Sequence, residues 1–94
     1  MSEPLSLQAI ETALQTLPGW SYADDKLGKR FGFADFKAAL AFINRVGDAA
    51  ESANHHPEIF NVYNTVEIKL NTHDADGRVT EKDVQLAGAI EQLA

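Results

Sequence analysis

The chain has 94 residues, 45% of them apolar, with 14 acidic and 8 basic side chains for a net charge of −6. That length predicts one small domain over residues 1–94, because domains cluster at about 100–150 residues, and the acidic balance argues against direct nucleic-acid binding, which needs a basic footprint to displace counterions. There is no cysteine to build a disulfide framework or a thiolate metal site, no apolar run near the roughly 18–20 residues of a membrane span, and no signal-peptide character in Met1-Ser2-Glu3-Pro4, so a cytoplasmic protein is expected.

In chain order, residues 5–17 are predicted to form a helix, because Ile10, Ala13, Leu14 and Leu17 recur at i, i+3, i+4, i+7. Ser6 is suited to cap it, and Pro18-Gly19 ends it. Trp20-Ser21-Tyr22 opens a strand that turns at Asp24-Asp25 and returns over 26–33. Leu27, Lys29, Phe31 and Phe33 share one face of the return, while Gly28, Arg30 and Gly32 leave the other face flat, as for close packing of another element.

A second helix is predicted over about 35–53, with Phe36, Leu40, Ile43 and Ala50 as its apolar stripe and Ala39 and Val46 flanking it. Gly47 inside that helix suggests close packing, since it costs about 1 kcal/mol relative to Ala. After Asn54-His55-His56-Pro57 the period changes to two. Phe60 and Val62 alternate with Ile59, Asn61 and Tyr63. Beyond a bend at Asn64-Thr65, Val66, Ile68 and Leu70 alternate with Glu67, Lys69 and Asn71, the pattern of a strand with one wet face. A loop follows over 74–77. Thr80-Glu81-Lys82-Asp83 has the form of a capping box with Asp in the usual Glu place, and it opens a last helix with Leu86, Ile90 and Leu93 inward. The order predicts an α+β fold, a four-stranded antiparallel sheet with three helices packed on one face. A chain this small buries a modest share of its surface, so a homodimer or homotetramer is expected, with sheet edges hidden by pairing.

The chemistry-bearing residues concentrate in a short stretch. His55 and His56 follow the second helix, and His73 is expected at the end of the fourth strand. If strands three and four form a hairpin, its open end returns His73 towards His55 and His56. Neighbouring strand residues point to opposite faces, so the backbone must turn for both His55 and His56 to face one pocket, and Pro57 restricts His56 to extended conformations. Three readings compete at this point: ordinary loop histidines, a zinc site of three histidines, and acid–base catalysis by groups that titrate near neutrality. No Asp or Glu stands at a metal-ligand spacing from them.

The stretches Asn54-His55-His56-Pro57-Glu58, Asn61-Val62-Tyr63-Asn64 and Val66-Glu67-Ile68-Lys69-Leu70-Asn71-Thr72-His73 resemble the signature of the pterin-4a-carbinolamine dehydratases. Leu17-Pro18-Gly19-Trp20, Phe36 with Phe42, and Thr80-Glu81-Lys82-Asp83 are similar to that family too, so the resemblance covers roughly residues 5–93. It implies the same antiparallel sheet with three helices on one face. It also implies dehydration of a 4a-hydroxytetrahydropterin, the product of an aromatic amino-acid hydroxylase, to quinonoid dihydropterin, in tetrahydropterin recycling. No metal and no organic cofactor would be needed. By resemblance, His55 and His73 are the acid/base pair and His56 holds the substrate. Pro57 and the stretch Thr72-His73-Asp74-Ala75 are implied to complete the pterin site, with Glu51, Tyr63 and Asp83 as polar residues near it. Two departures stand out. Ile59 replaces a Trp of many relatives, which could weaken a pocket wall unless Phe60 covers it, and Asn54 replaces an acid.

An enzyme is therefore the leading expectation. A binding module on the same fold is the second: animal members of the family also bind a homeodomain transcription factor, and relatives that lack the histidines act as assembly factors. The three histidines kept here favour the enzyme.

Overall fold

The computed structural model describes residues 3–94. Met1 and Ser2, part of the stretch inspected for a signal peptide, lie outside the described residues. Among the described residues no helix is long and apolar enough to cross a membrane.

The first helix, α1 (Leu7–Leu14), starts where Ser6 accepts from the Ala9 N–H at 3.1 Å. It is shorter than the periodicity suggested. Pro18 biases Leu17 away from helical backbone, and the N–H groups of Gln15, Thr16 and Leu17 instead bond three residues back. Leu17 still reaches the core, as does Trp20 just ahead of β1 (Ser21–Ala23). Asp24 and Asp25 both take positive φ, 53° and 61°, which makes the two-residue turn that matches strand twist. The Tyr22 hydroxyl closes it on the Asp25 carboxylate at 3.0 Å.

β2 (Lys26–Gly32) pairs antiparallel with β1 and with β4 (Thr65–Leu70), and β4 also pairs with β3 (Glu58–Val62). The sheet order is therefore β1-β2-β4-β3. The register sets Leu27 opposite Leu70, Lys29 opposite Ile68, and Phe31 opposite Val66. These side chains share the face that packs on the helices, and all but Lys29 are buried. The other face carries Gly28, Arg30, Glu67 and Lys69 and has no covering element among the described residues. The expected bend at Asn64-Thr65 is a tight turn at Tyr63-Asn64, with Tyr63 at φ 50° and Val62 paired to Thr65.

Helix α2 (Phe36–Ala53) is capped by Asp35, which accepts from the Ala38 N–H at 2.8 Å. Its buried face runs Ala39, Phe42, Val46, Ala50. Phe36 and Leu40, expected on that stripe, remain 44% and 40% exposed. The reason is aromatic packing: Phe42 sits 4.8 Å from Phe31 and 4.9 Å from Phe33, centroid to centroid, and this contact sets the rotation of the helix on the sheet. A Cβ at Gly47 or Gly32 would meet nothing within 4 Å, so the close packing expected there is not made among the described residues. Helix α3 (Glu81–Glu91) buries Leu86, Ala87 and Ile90. Residues of all three helices join the sheet in one core.

Lys29 is the one cation on the core side of β2. Its ammonium donates to the Pro18 carbonyl at 2.7 Å and to both Glu91 oxygens at 2.8 and 3.0 Å. The Trp20 indole N–H adds a bond to Glu91 at 2.9 Å. Burial pushes the Glu91 carboxyl up. The hydrogen bonds from Lys29 and Trp20, with the Lys29 charge, outweigh that push and hold it below the ordinary value of 4.5. A lowered folded value means the carboxylate stabilises the fold above the unfolded pKa, and that stabilisation is lost as pH falls through the folded one. Glu91→Gln is therefore expected to cost about 1–3 kcal/mol near neutrality. Its stability should converge on that of the wild type as the pH is lowered, and urea unfolding at several pH values checks both parts.

Candidate active site

The end of α2 decides how the two adjacent histidines are presented. Asn54 takes left-handed backbone, φ 49° and ψ 44°, which Asn tolerates better than most residues. Its N–H bonds the Glu51 carbonyl at 3.1 Å, and the His55 N–H bonds the Ala50 carbonyl at 3.0 Å. This pair of bonds is a Schellman cap. The chain reverses there, so His55 turns inward, 9% exposed, while His56 stays outside.

His55 meets a carboxylate that is fully buried. Its Nε2 lies 2.5 Å from Asp83 Oδ1. The other Asp83 oxygen accepts from the Thr72 hydroxyl and from the Thr80 N–H, each at 2.8 Å. The Thr80 hydroxyl lies 2.7 Å from that of Thr72, and the Lys82 N–H reaches it at 3.3 Å. Since Thr72 spends its proton on Asp83, Thr80 is the donor to Thr72. The capping box read from the sequence is thus real, but its acid does more than cap. As the acceptor, Asp83 assigns the Nε2 proton to His55, which leaves Nδ1 as the nitrogen able to exchange a proton.

His56 Nε2 lies 2.6 Å from Glu51 Oε1, with the two side chains 59% and 79% exposed. Solvent screens a pair in that setting, so it orients the ring more than it stabilises the fold. His73 does not end a strand. β4 stops at Leu70, and His73 opens a short 3₁₀ turn (His73–Ala75) that replaces the start of the expected loop.

All three histidines border one depression of about 270 Å³, with Thr72, Asp74 and Lys82. Asn54 and Asn71 complete its wall. Lys82 and Asn71 were not singled out from the sequence. Their signal was only adjacency, Asn71 beside Thr72-His73 and Lys82 inside the capping box. Glu51 touches the site through His56 and Asp83 through His55. Pro57 and Ala75 do not line the depression. Ala75 is buried and its N–H is taken by the Thr72 carbonyl at 3.0 Å, so it supports the turn from beneath. Tyr63 does not border the depression: it sits at the β3–β4 turn, the end of the hairpin away from the histidines, beside Arg30 and Phe60. Ile59 and Phe60 likewise border a separate hollow with Glu67 and Lys69 and form no wall of the histidine depression within the chain. Among the described residues, no group of three or more His, Asp or Glu side chains is placed to hold a metal ion.

The arrangement gathers three imidazoles, groups able to donate and accept protons, at one depression, with a buried carboxylate fixing one of them. Comparisons with known proteins show the family of the chain. The model of the family described as "Pterin 4 alpha carbinolamine dehydratase" matches residues 3–93. A relative named for that family in Thermosynechococcus vestitus is 46% identical over 94 residues, covering 100% of this chain and 98% of its own. Another, in Rhizorhabdus wittichii, is 49% identical over 94 residues, covering 98% and 96%. The crystal structure of a transcriptional coactivator/pterin dehydratase from Brucella melitensis superposes with a TM-score of 0.92 at 35% identity, over 97% of this chain and 98% of that one. A pterin dehydratase-like RuBisCO assembly factor of the α-carboxysome shares the fold, with a TM-score of 0.66 at 24% identity over 80% and 86%.

Both Asp83 oxygens face donors, so an amide at this position must turn its NH₂ group towards one of them. Asp83→Asn is expected to destabilise the fold by about 1–3 kcal/mol, read as a fall in Tm of roughly 4–8 °C per kcal/mol for a domain of this size. Calorimetry showing an unchanged Tm would mean that the carboxylate does not hold the three segments together.

Proposed function

The chain belongs to the pterin 4 alpha carbinolamine dehydratase family, and from that premise we propose that it removes water from a 4a-hydroxytetrahydropterin by histidine acid–base catalysis. The C4a–O bond breaks and the hydroxyl takes a proton to leave as water. N5 gives up its proton, and its electron pair completes the C4a=N5 bond of the quinonoid dihydropterin. Each proton step needs a group that exists in both protonation states near neutrality, which is the ordinary range of imidazole. Proton transfer of this kind contributes about 10²–10⁴-fold per group, and neither step calls for an organic cofactor.

The observation that carries this reading is the meeting of His55, His56 and His73 around one depression, with His55 braced by a buried carboxylate. We assign His55 and His73 to the two proton transfers. His56, tethered outside by Glu51, holds the substrate. Thr72, His73 and Asp74 supply the rim for the pterin ring, with Pro57 and Ala75 as backing. The setting proposed is tetrahydropterin recycling in the cytoplasm, fed by an aromatic amino-acid hydroxylase.

His55→Ala and His73→Ala should each lower kcat by about 10²–10⁴-fold, and His56→Ala should chiefly raise KM. The paired His55 and His73 change should approach the uncatalysed rate without equalling the sum of the single losses. A dehydration assay on freshly made substrate, with circular dichroism as the folding control, is the test. Wild-type kinetics in all three folded single variants would leave the histidines as ordinary loop residues.

A partner-binding role is the second reading, compatible with the first. The Brucella protein's name joins coactivator and dehydratase, and here Phe36 and Leu40 on α2 are exposed. The edge strand β3 also exposes Ile59, Phe60 and Val62, which favours self-association, because an unpaired apolar edge is a template for another strand. Light scattering at micromolar concentration should show a homodimer or homotetramer, and a monomer would count against that use of the edge.

A further inference from the structure

Thr72 continues the inward row of β4. Val66, Ile68 and Leu70 precede it at alternate positions, all fully buried, and Thr72 is itself 2% exposed. A valine there would extend the row at nearly the same volume, and only the hydroxyl sets threonine apart from it. The hydroxyl is therefore present for a bond and not for packing.

Both donors of Thr72 are engaged inside the fold. Its N–H donates to the Arg78 carbonyl at 2.9 Å, and its carbonyl accepts from the N–H groups of Ala75 and Gly77 at 3.0 and 3.1 Å. Its hydroxyl donates to Asp83 Oδ2 and accepts from the Thr80 hydroxyl. Thr72 borders the histidine depression, yet it has no free donor to offer a bound molecule. Its bonds run instead towards two of the histidines. Thr72 and the Thr80 N–H together hold Oδ2 and so set the plane of the Asp83 carboxylate, whose Oδ1 meets His55 Nε2. His73 is the next residue in the chain, and the short turn that carries it closes on the Thr72 carbonyl. The Thr80 hydroxyl occupies the acceptor side of Thr72 Oγ, which leaves the Thr72 proton aimed at Asp83.

We propose that Thr72 is a positioning residue and that its hydroxyl, aimed by Thr80, fixes His55 and His73 relative to each other for the two proton transfers. The proposal rests on the dehydratase reading above. Thr72 adds only its carbon skeleton to the rim of the depression, so its hydroxyl serves turnover and not substrate binding. Asp83 carries the effect to His55, and the turn after β4 carries it to His73.

Two variants separate the hydroxyl from the methyl. Thr72→Val keeps the branched shape and removes the hydroxyl, whereas Thr72→Ser keeps the hydroxyl and removes the methyl. In the dehydration assay Thr72→Val should lower kcat by roughly tenfold or more, since a misplacement of about 1 Å can cost on the order of 10²-fold. Its KM should stay within roughly twofold of the wild type. Thr72→Ser should lie much nearer the wild type in kcat. A folded Thr72→Val with wild-type kcat overturns the proposal. A loss confined to KM does so too, because it would make the hydroxyl a substrate contact, and equal losses in the two variants would reduce Thr72 to packing. NMR of the wild-type chain gives a reading that does not depend on how the variants fold. The buried Thr72 hydroxyl proton should exchange slowly enough to be observed. Saturation with a dihydropterin, which lacks the leaving hydroxyl, should leave it protected and without a contact to the ring. Free exchange of that proton, or its transfer to the bound ring, would sink the assignment. No turnover by the wild-type chain would overturn the dehydratase reading itself, and the positioning role with it.

Discussion

The buried carboxylate of Asp83 is the constraint on which the site depends. A charge removed from water persists in a fold only when donors surround it. Here they come from three separate segments: the start of α3 through Thr80, the end of β4 through Thr72, and the exit of α2 through His55. The position at the first turn of a helix adds the favourable end of the backbone dipole. Satisfying one carboxylate thus fixes the distance between the histidine pair after α2 and the turn that carries His73. The geometry of the histidine end follows from a local need of the fold.

The sheet supplies the frame for that end. Leu27, Phe31, Val66, Ile68 and Leu70 interlock on the helix-facing side through the β2–β4 register. Lys29 interrupts them, and Glu91 with the Pro18 carbonyl makes its burial tolerable by filling its donors. Both polar inclusions involve an end of α3, Asp83 at its start and Glu91, the partner of Lys29, at its last residue. Between them the interior is apolar and Phe42 locks α2 against Phe31 and Phe33. The β3–β4 hairpin separates two surfaces: the histidine depression at its open end and Tyr63 with the apolar β3 edge towards its turn.

The two adjacent histidines have unlike surroundings. His55 is buried and braced by Asp83, so its orientation is set by the fold itself. His56 is exposed and paired with the exposed Glu51 carboxylate. His73 borders the same depression from the 3₁₀ turn after β4. Asn54 makes the difference between the first two, because only its left-handed cap turns one ring inward and the next outward.

Much of this was legible in the sequence. Period-two alternation over β2 and β4, the Asp24-Asp25 turn and the capping box at Thr80 all reflect rules that act within a few residues, and the hairpin alone was enough to bring His73 back towards His55 and His56. Other features depended on distant partners. Two apolar stripes overlap on α2, one through Phe36 and Leu40 and one through Phe42 and Val46, and periodicity weighs them alike until the aromatic rings of the sheet choose the second. Asp83 reads locally as a cap, and nothing near it in sequence announces that its other oxygen meets an imidazole 28 residues away. Tyr63 sits close to the site in sequence and at the far end of the hairpin in space. Local backbone preference and pattern thus determined the elements and the residues available for chemistry. The rotation of α2, the burial of Asp83 and the opposed environments of His55 and His56 were decided only by tertiary packing, because each is set by contacts between segments that no local pattern encodes.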